Sequence, residues 1–260
     1  MTGEVHPDLI GEHGDYARMF VDLLGPAAPE FDFKAFDIVG GDIPSAAPPF
    51  CDGYIITGSK SGVYDPEPWI PPLEDLLRAA HGAGAPLVGV CFGHQILAQA
   101  LGGRVEKSEK GWGCGVHDYT LLERPAWMPP SAELRLHAMH QDQVLEPPQA
   151  AVTLAASAHC PHAALAYGDP EAPSAISFQP HPEFTPAFAK ALIETRRGDG
   201  VPIDLADRSM AGIDAAADAA HPSAPVMNAE IAAAIVAFLR QATADRLSEP
   251  ATARPETVPA

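Results

Sequence analysis

The sequence predicts an α/β fold, doubly wound, with a mostly parallel central sheet and helices on both faces. Two observations carry this. From residue 31 onward, short apolar runs of strand length alternate with runs of helical period. The run Pro86-Leu-Val-Gly-Val90 is apolar throughout, as a strand covered on both faces must be, and it passes directly into a helical segment. A chain of 260 residues, 47% hydrophobic and 19% charged, can bury one sizeable core. Residues 1–242 are therefore expected to form a single domain, and the Pro-containing stretch 243–260 a disordered tail.

Taken in order, Phe31–Val39 carries apolar residues at period two and predicts a strand. Gly53–Thr57 predicts a second, short one. Trp69–Ala83, introduced by prolines and ended at Gly82 or Gly84, predicts a helix. Pro86–Val90 is the next strand, and Phe92–Leu101 a helix stopped by Gly102-Gly103. Strand-like pieces follow at Val116–Leu122, Leu134–Met139, Val152–Ala156, Ala163–Tyr167 and Ala175–Phe178, separated by turn-forming residues. A helix is expected from about Thr185 to Arg197, and another from an N-cap at Asn228 to near Gln241. The Ala-rich stretch between Gly198 and Pro225 stays ambiguous: Ile203–Ala220 is helical by propensity but lacks a strong apolar stripe.

Charge and cysteine content exclude several classes. With 16 Lys and Arg against 34 Asp and Glu, the net charge of -18 repels phosphate backbones and anionic membrane surfaces, so nucleic acid and membrane are not expected as partners. Cys51, Cys91, Cys114 and Cys160 have neither CxxC spacing nor the density of a disulfide scaffold, which points to free thiols, a reducing compartment and no zinc site. No apolar run reaches the roughly 20 residues that span a bilayer, and no basic, apolar leader opens the chain. A cytoplasmic protein is expected.

The stretch that carries chemistry is Leu87-Val-Gly-Val-Cys-Phe-Gly-His-Gln-Ile-Leu97, a buried strand running through a cysteine into a helix. A strand-to-helix turn that presents a nucleophile strains its backbone and needs small neighbours, and Gly89 and Gly93 stand two residues to either side of Cys91. At the helix N-terminus the dipole favours a thiolate, and the Phe92 amide is free to donate into an oxyanion hole. A lone free cysteine is more often a small buried residue. Here the glycine spacing, the strand before and the helix after all meet the mechanical requirement together.

The run Gly89-Val-Cys-Phe-Gly-His-Gln95 resembles the nucleophile motif of class I glutamine amidotransferases, and His181-Pro-Glu183 resembles the same family's late His-Pro-Glu run. The resemblance, over about residues 15 to 195, implies a flavodoxin-like α/β fold and a catalytic triad of Cys91, His181 and Glu183. A thiol needs an imidazole to take its proton and return it to the leaving amine, and the imidazole needs a carboxylate to orient it. Thr57-Gly-Ser-Lys-Ser-Gly62 corresponds to the family's oxyanion loop, which pairs the Gly58 amide with that of Phe92. His140-Gln-Asp142 looks like the loop that holds the α-amino and α-carboxylate ends of glutamine, so that His140, Gln141 and Asp142, with Gln95, become the implied substrate contacts. His94 is expected to pack behind the site. Of the eleven histidines, His6, His13, His81, His117, His159, His162 and His221 are expected in surface or loop positions. The chemistry needs no metal and no cofactor.

One departure from the family is visible. Its members open with an apolar strand, whereas this chain begins Met1-Thr-Gly-Glu-Val-His-Pro-Asp-Leu-Ile10, polar and interrupted by Pro7; the first strand is expected either to be absent or to lie upstream of a misassigned start. No Gly-rich ATP-pyrophosphatase loop is present, so a synthetase partner is left open. The His-Gln-Asp-Gln-Val form of the substrate loop looks most like the group around the glutaminase domain of GMP synthase that includes γ-glutamyl peptidases. Three readings follow: a thiol hydrolase of glutamine or another γ-glutamyl compound acting through a Cys91 thioester, a γ-glutamyl peptidase acting on glutathione-like conjugates, and a non-catalytic binding or regulatory protein.

Overall fold

Val88 and Val90 face one side of their strand and Leu87 the other, and all three are fully buried, so this strand must lie inside a two-sided core. The computed structural model places it there and describes residues 1–44, 51–217 and 225–248. The elements in chain order are α1 (Pro7–His13), α2 (Tyr16–Leu24), β1 (Tyr54–Ile56), α3 (Ile70–Gly82), β2 (Leu87–Val90), α4 (Phe92–Ala100), β3 (Arg104–Lys107), β4 (Gly113–Leu121), β5 (Glu133–His140), β6 (Asp142–Glu146), β7 (Ala151–Ala156), β8 (Ala164–Tyr167), β9 (Ala175–Phe178), α5 (Pro186–Arg196), α6 (Ile203–Ala217) and α7 (Asn228–Ser248).

A seven-stranded sheet runs in the order β1-β2-β9-β8-β7-β4-β5, and β3 pairs with β6 in a small antiparallel sheet. The strands β1, β2 and β9 are parallel to one another, and β9-β8-β7-β4-β5 continue antiparallel. On one face α2 and α7 pack through Phe20, Leu24, Ile235 and Phe238 against Val88, Val90, Ile176 and Phe178. On the other, α3 and α4 pack through Leu73, Leu77, Phe92 and Ile96 against Leu87 and Ala175. The α/β class with helices on both faces therefore holds. A third cluster joins Tyr16 and Met19 of α2 to Phe184, Phe188, Ile193 and Ile213 at the end of the sheet.

Three parallel strands thus end side by side at one edge, where ligand crevices form in open α/β sheets. Thr57-Gly58 follows β1, Cys91 follows β2, and the segment to His181 follows β9. A second tie joins the halves of the site: the His181 amide donates to the carbonyl of His137 on β5 at 2.8 Å.

Several expectations are corrected. Residues 31–39 form no strand: Phe31 and Phe33 pack toward one core cluster and Phe36 and Ile38 toward the other, with no ladder beside them. Their alternation reflects packing on two sides of an extended segment. The expected tail begins too early, because α7 continues through Ser248; residues 249–260 lie outside the described residues, as does His221. Asn228 is the first residue of α7 rather than its cap, and its side-chain amide donates to the Phe184 carbonyl at 2.8 Å. Within the ambiguous Ala-rich stretch Ile203–Ala217 form the helix α6, and residues 218–224 lie outside the described residues. His117 lies in strand β4 rather than in a loop, half-buried against His159. No strand pairs with the outer side of β1 among the described residues; Met1 and Thr2 reach only its end, where the Thr2 hydroxyl donates to the Thr57 carbonyl at 2.8 Å. No helix among the described residues is long and apolar enough to cross a membrane.

Candidate active site

The turn between β2 and α4 leaves Cys91 at φ 54°, ψ -106°, and no other non-glycine residue among those described has a positive φ. Such a backbone costs about 1–3 kcal/mol and persists only when its surroundings hold it. They do so through close approach. A Cβ on Gly89 would collide with the carbonyl of Gly93, and one on Gly93 with the carbonyl of Ile56. The Gly93 amide donates to Thr57 O at 3.1 Å and the Cys91 amide to Phe178 O at 2.8 Å, so both neighbouring strands pin the turn. Phe92 opens α4 with its amide outside the helical ladder, and its ring sits against Trp69 at 5.4 Å.

His181 and Glu183 are brought to Cys91 as expected. Glu183 Oε1 lies 2.7 Å from His181 Nδ1, and both side chains are almost wholly buried. The imidazole also stacks on Phe184 at 3.8 Å, with planes 10° apart. With Nδ1 engaged and one face covered, Nε2 remains for the thiol. Burial alone would push the imidazole toward its neutral form, but the Glu183 carboxylate and Cys91 outweigh it and raise its proton affinity. Gly58 stands against this pair: a Cβ there would meet His181 Cε1 at 3.2 Å and Cys91 Cβ at 3.8 Å. A side chain at this position would press on the imidazole.

A cleft of about 540 Å³ opens over Cys91 and is lined by Gly58, Gln95, His140, Gln141, Asp142 and His181 among others. The implied substrate residues therefore converge, although their side chains also serve the loop itself. The carbonyl of Asp142 accepts from Gln95 Nε2 at 2.9 Å and faces His140 Nδ1 at 3.1 Å. Gln95 Nε2 also donates to Gln179 Oε1 at 3.1 Å. Burial drives His140 down to about 3, so its ring is neutral, with Nε2 buried and unpartnered. The Asp142 carboxylate accepts from the Tyr64 hydroxyl at 2.8 Å. His94 packs behind the turn, bonded through Nδ1 to Ser177 Oγ at 2.8 Å, and burial lowers it to about 3.

Sequence reasoning missed Tyr64, His137 and Gln179, which lie two or three residues from segments it had singled out, and Tyr16, which comes from the distant helix α2. Tyr16 stacks on Phe184 at 6.5 Å and lines the cleft. Its position on α2 was readable from the apolar stripe Tyr16, Met19, Phe20 and Leu24 behind an N-cap at Asp15, but its partner was not. A larger cavity, about 910 Å³, lies beside the outer side of β1; it holds none of Cys91, His181 and Glu183 and has a mainly apolar lining, so it is not the site of this chemistry.

The family described as glutamine amidotransferase class-I matches residues 50–196. Gamma-glutamyl peptidase 4 of Arabidopsis thaliana is 33% identical over 153 residues, which cover 56% of this chain and 60% of that protein; the match therefore spans less than two thirds of the relative. A GMP synthase of Tolumonas auensis is 31% identical over 183 residues, 66% of this chain and 33% of that enzyme. Among solved structures, a glutamine amidotransferase from Thermotoga maritima superposes with a TM-score of 0.65 at 18% identity, covering 88% of this chain and 94% of that one, a likeness of fold. With the family's profile covering more than half of the sequence, the chain belongs to the class I glutamine amidotransferases.

Proposed function

We propose that the protein is a cysteine-dependent hydrolase of γ-glutamyl amide bonds, with Cys91 as nucleophile, His181 as general base and acid, and Glu183 as the group that orients the imidazole. The observation that carries this is the 2.7 Å contact of Glu183 with His181 Nδ1 beside a cysteine held at positive φ. Cys91 Sγ attacks the γ-carbonyl carbon while His181 takes the thiol proton, and the developing oxyanion is met by the Gly58 and Phe92 amides. As the C–N bond breaks, His181 gives the proton to the departing nitrogen. Water, deprotonated by the same imidazole, then attacks the thioester, releases glutamate and restores the thiol. Asp142, Gln141 and the loop held by Gln95, His140 and Tyr64 receive the amino-acid end of the glutamyl group.

Between glutamine and γ-glutamyl peptides as substrates, two observations favour the peptides. The cleft extends beyond the reacting centre toward Tyr16 and Trp112, and the Arabidopsis relatives are named gamma-glutamyl peptidases. The test is glutamate release from glutamine and from glutathione, with Cys91→Ala as blank. Cleavage of glutathione alone assigns a self-sufficient γ-glutamyl peptidase, and cleavage of glutamine accelerated by cell extract assigns a glutaminase with a synthetase partner. No release from either substrate leaves the binding-protein reading.

A further inference from the structure

The cleft has a second charged feature that the chemistry at Cys91 does not use. Arg196, the last residue of α5, lines it, half-buried, and makes no ion pair or side-chain hydrogen bond among the described residues. Its neighbour Arg197 points elsewhere and pairs with Asp207 at 2.7 Å. Asp199 lies on the same rim but outside ion-pair range of Arg196. In a chain with more than two acidic residues for every basic one, a partly desolvated guanidinium left without a carboxylate is an unfilled site rather than a structural tie.

Its position relative to the reacting centre gives the ligand. The glutamyl end is bound on the Asp142 and Tyr64 side, so the leaving group, which receives its proton from His181, departs on the His181 side. From His181 the cleft wall runs through Phe184, stacked on the imidazole, to Tyr16, stacked on Phe184. Arg196 lines the same cleft as Tyr16, close enough for its charge to act on the Tyr16 phenol, so the guanidinium lies at the Tyr16 end of this aromatic wall. The position is held by the backbone: the Arg196 carbonyl accepts from Asp199 N at 3.0 Å and Val201 N at 3.1 Å, and Phe188 and Ile193 bury the inner face of α5. A planar guanidinium matches a carboxylate bidentately, and the aromatic wall before it suits the body of an amino acid or dipeptide.

Resting on the hydrolase reading above, we propose that Arg196 forms a leaving-group subsite that recognises a free carboxylate, so that the substrates are γ-glutamyl peptides whose departing part is an amino acid or short peptide with an intact C-terminus. Ammonia, the leaving group from glutamine, makes no contact there.

The experiment compares γ-glutamyl-alanine with γ-glutamyl-alaninamide, which differ only in that carboxylate. The wild-type ratio of kcat/KM, acid over amide, is expected to be about 10–100, expressed mainly in KM, and to fall close to one in Arg196→Gln with part recovered in Arg196→Lys. A ratio near one in the wild type, or an Arg196→Gln variant that loses activity on both substrates with the ratio kept, overturns the subsite. Calorimetric titration of Cys91→Ala with the same two compounds reads the subsite without turnover. If the wild type cleaves neither compound while Cys91→Ala still binds the acid at least tenfold more tightly than the amide, the hydrolase reading fails and the subsite stands. Equal binding of both overturns the subsite whatever the activity.

Discussion

His181 stands between a carboxylate and a thiol, and each partner has a different weight. Cys91→Ala is expected to leave no measurable hydrolysis while keeping the fold, since a β-carbon alone fits the turn. His181→Ala is expected to cost about 10³-fold or more in kcat, because neither the thiol proton nor the leaving nitrogen then has a partner. Glu183→Gln should cost less, about 10–100-fold, because an amide still orients the ring while the charge that stabilises the imidazolium is lost. Steady-state glutamate release orders the three, and a Glu183→Gln loss as large as that of His181→Ala contradicts the assignment. Tyr64→Phe removes the hydrogen bond to Asp142 and should raise KM about tenfold with kcat little changed. At this scale the Cys91 turn was legible from the spacing of Gly89, Cys91 and Gly93, which the turn itself dictates, and the approach of His181 and Glu183 to it only through the family resemblance. Tyr64, Tyr16 and Gln179 were not, because each acts through a contact that no local spacing encodes.

Between elements, the turn from β2 to α4 is the most constrained junction. Gly93→Ala places a methyl group onto the Ile56 carbonyl, and since β1 is an edge strand paired only with β2 among the described residues, it is β1 and the Gly58 loop that must yield. A loss of about 2–4 kcal/mol in urea unfolding is expected, with activity falling further than stability because Gly58 moves with the strand. A variant with unchanged unfolding midpoint contradicts the close packing described. The strands β1, β2 and β9 and the helices α3, α4 and α5 were legible because apolar runs with Gly and Pro punctuation mark them. The strands β3 and β6 were not: Arg104, Glu106 and Lys107 are exposed, and only Val105 is buried. Residues 31–39 misled for the opposite reason, showing alternation without a strand to pair with.

Over the whole molecule, buried histidines set the pH dependence of stability. Burial lowers His94 to about 3, His137 to about 4 and His140 to about 3, against an ordinary 6.5. Below pH 6.5 the unfolded chain takes up protons that the folded chain refuses, so stability falls with pH, by up to about 1.4 kcal/mol per unit for each group. His181 has the opposite sign: its raised folded affinity contributes fully below 6.5 and is lost as pH rises through its folded value. The urea midpoint should therefore drop steadily between pH 6.5 and 4, and a flat midpoint over that window contradicts the neutral, buried state of these rings. The sequence set His94 apart as a packing residue and His140 as part of the substrate loop, but nothing in it marked His137 as buried; that depends on which strands the topology brings over it. The site depends on topology in the same way: Cys91, the Gly58 loop and the His181 imidazole follow three strands that are neighbours only in the sheet.

The most direct test of the central claim is to trap the acyl intermediate: intact mass of the wild type and of Cys91→Ala after incubation with a γ-glutamyl p-nitroanilide at low temperature. The account predicts p-nitroaniline release with a γ-glutamyl adduct on the peptide bearing Cys91, absent in the variant. Hydrolysis at equal rates in both proteins, or an adduct on Cys51, Cys114 or Cys160 instead, contradicts it.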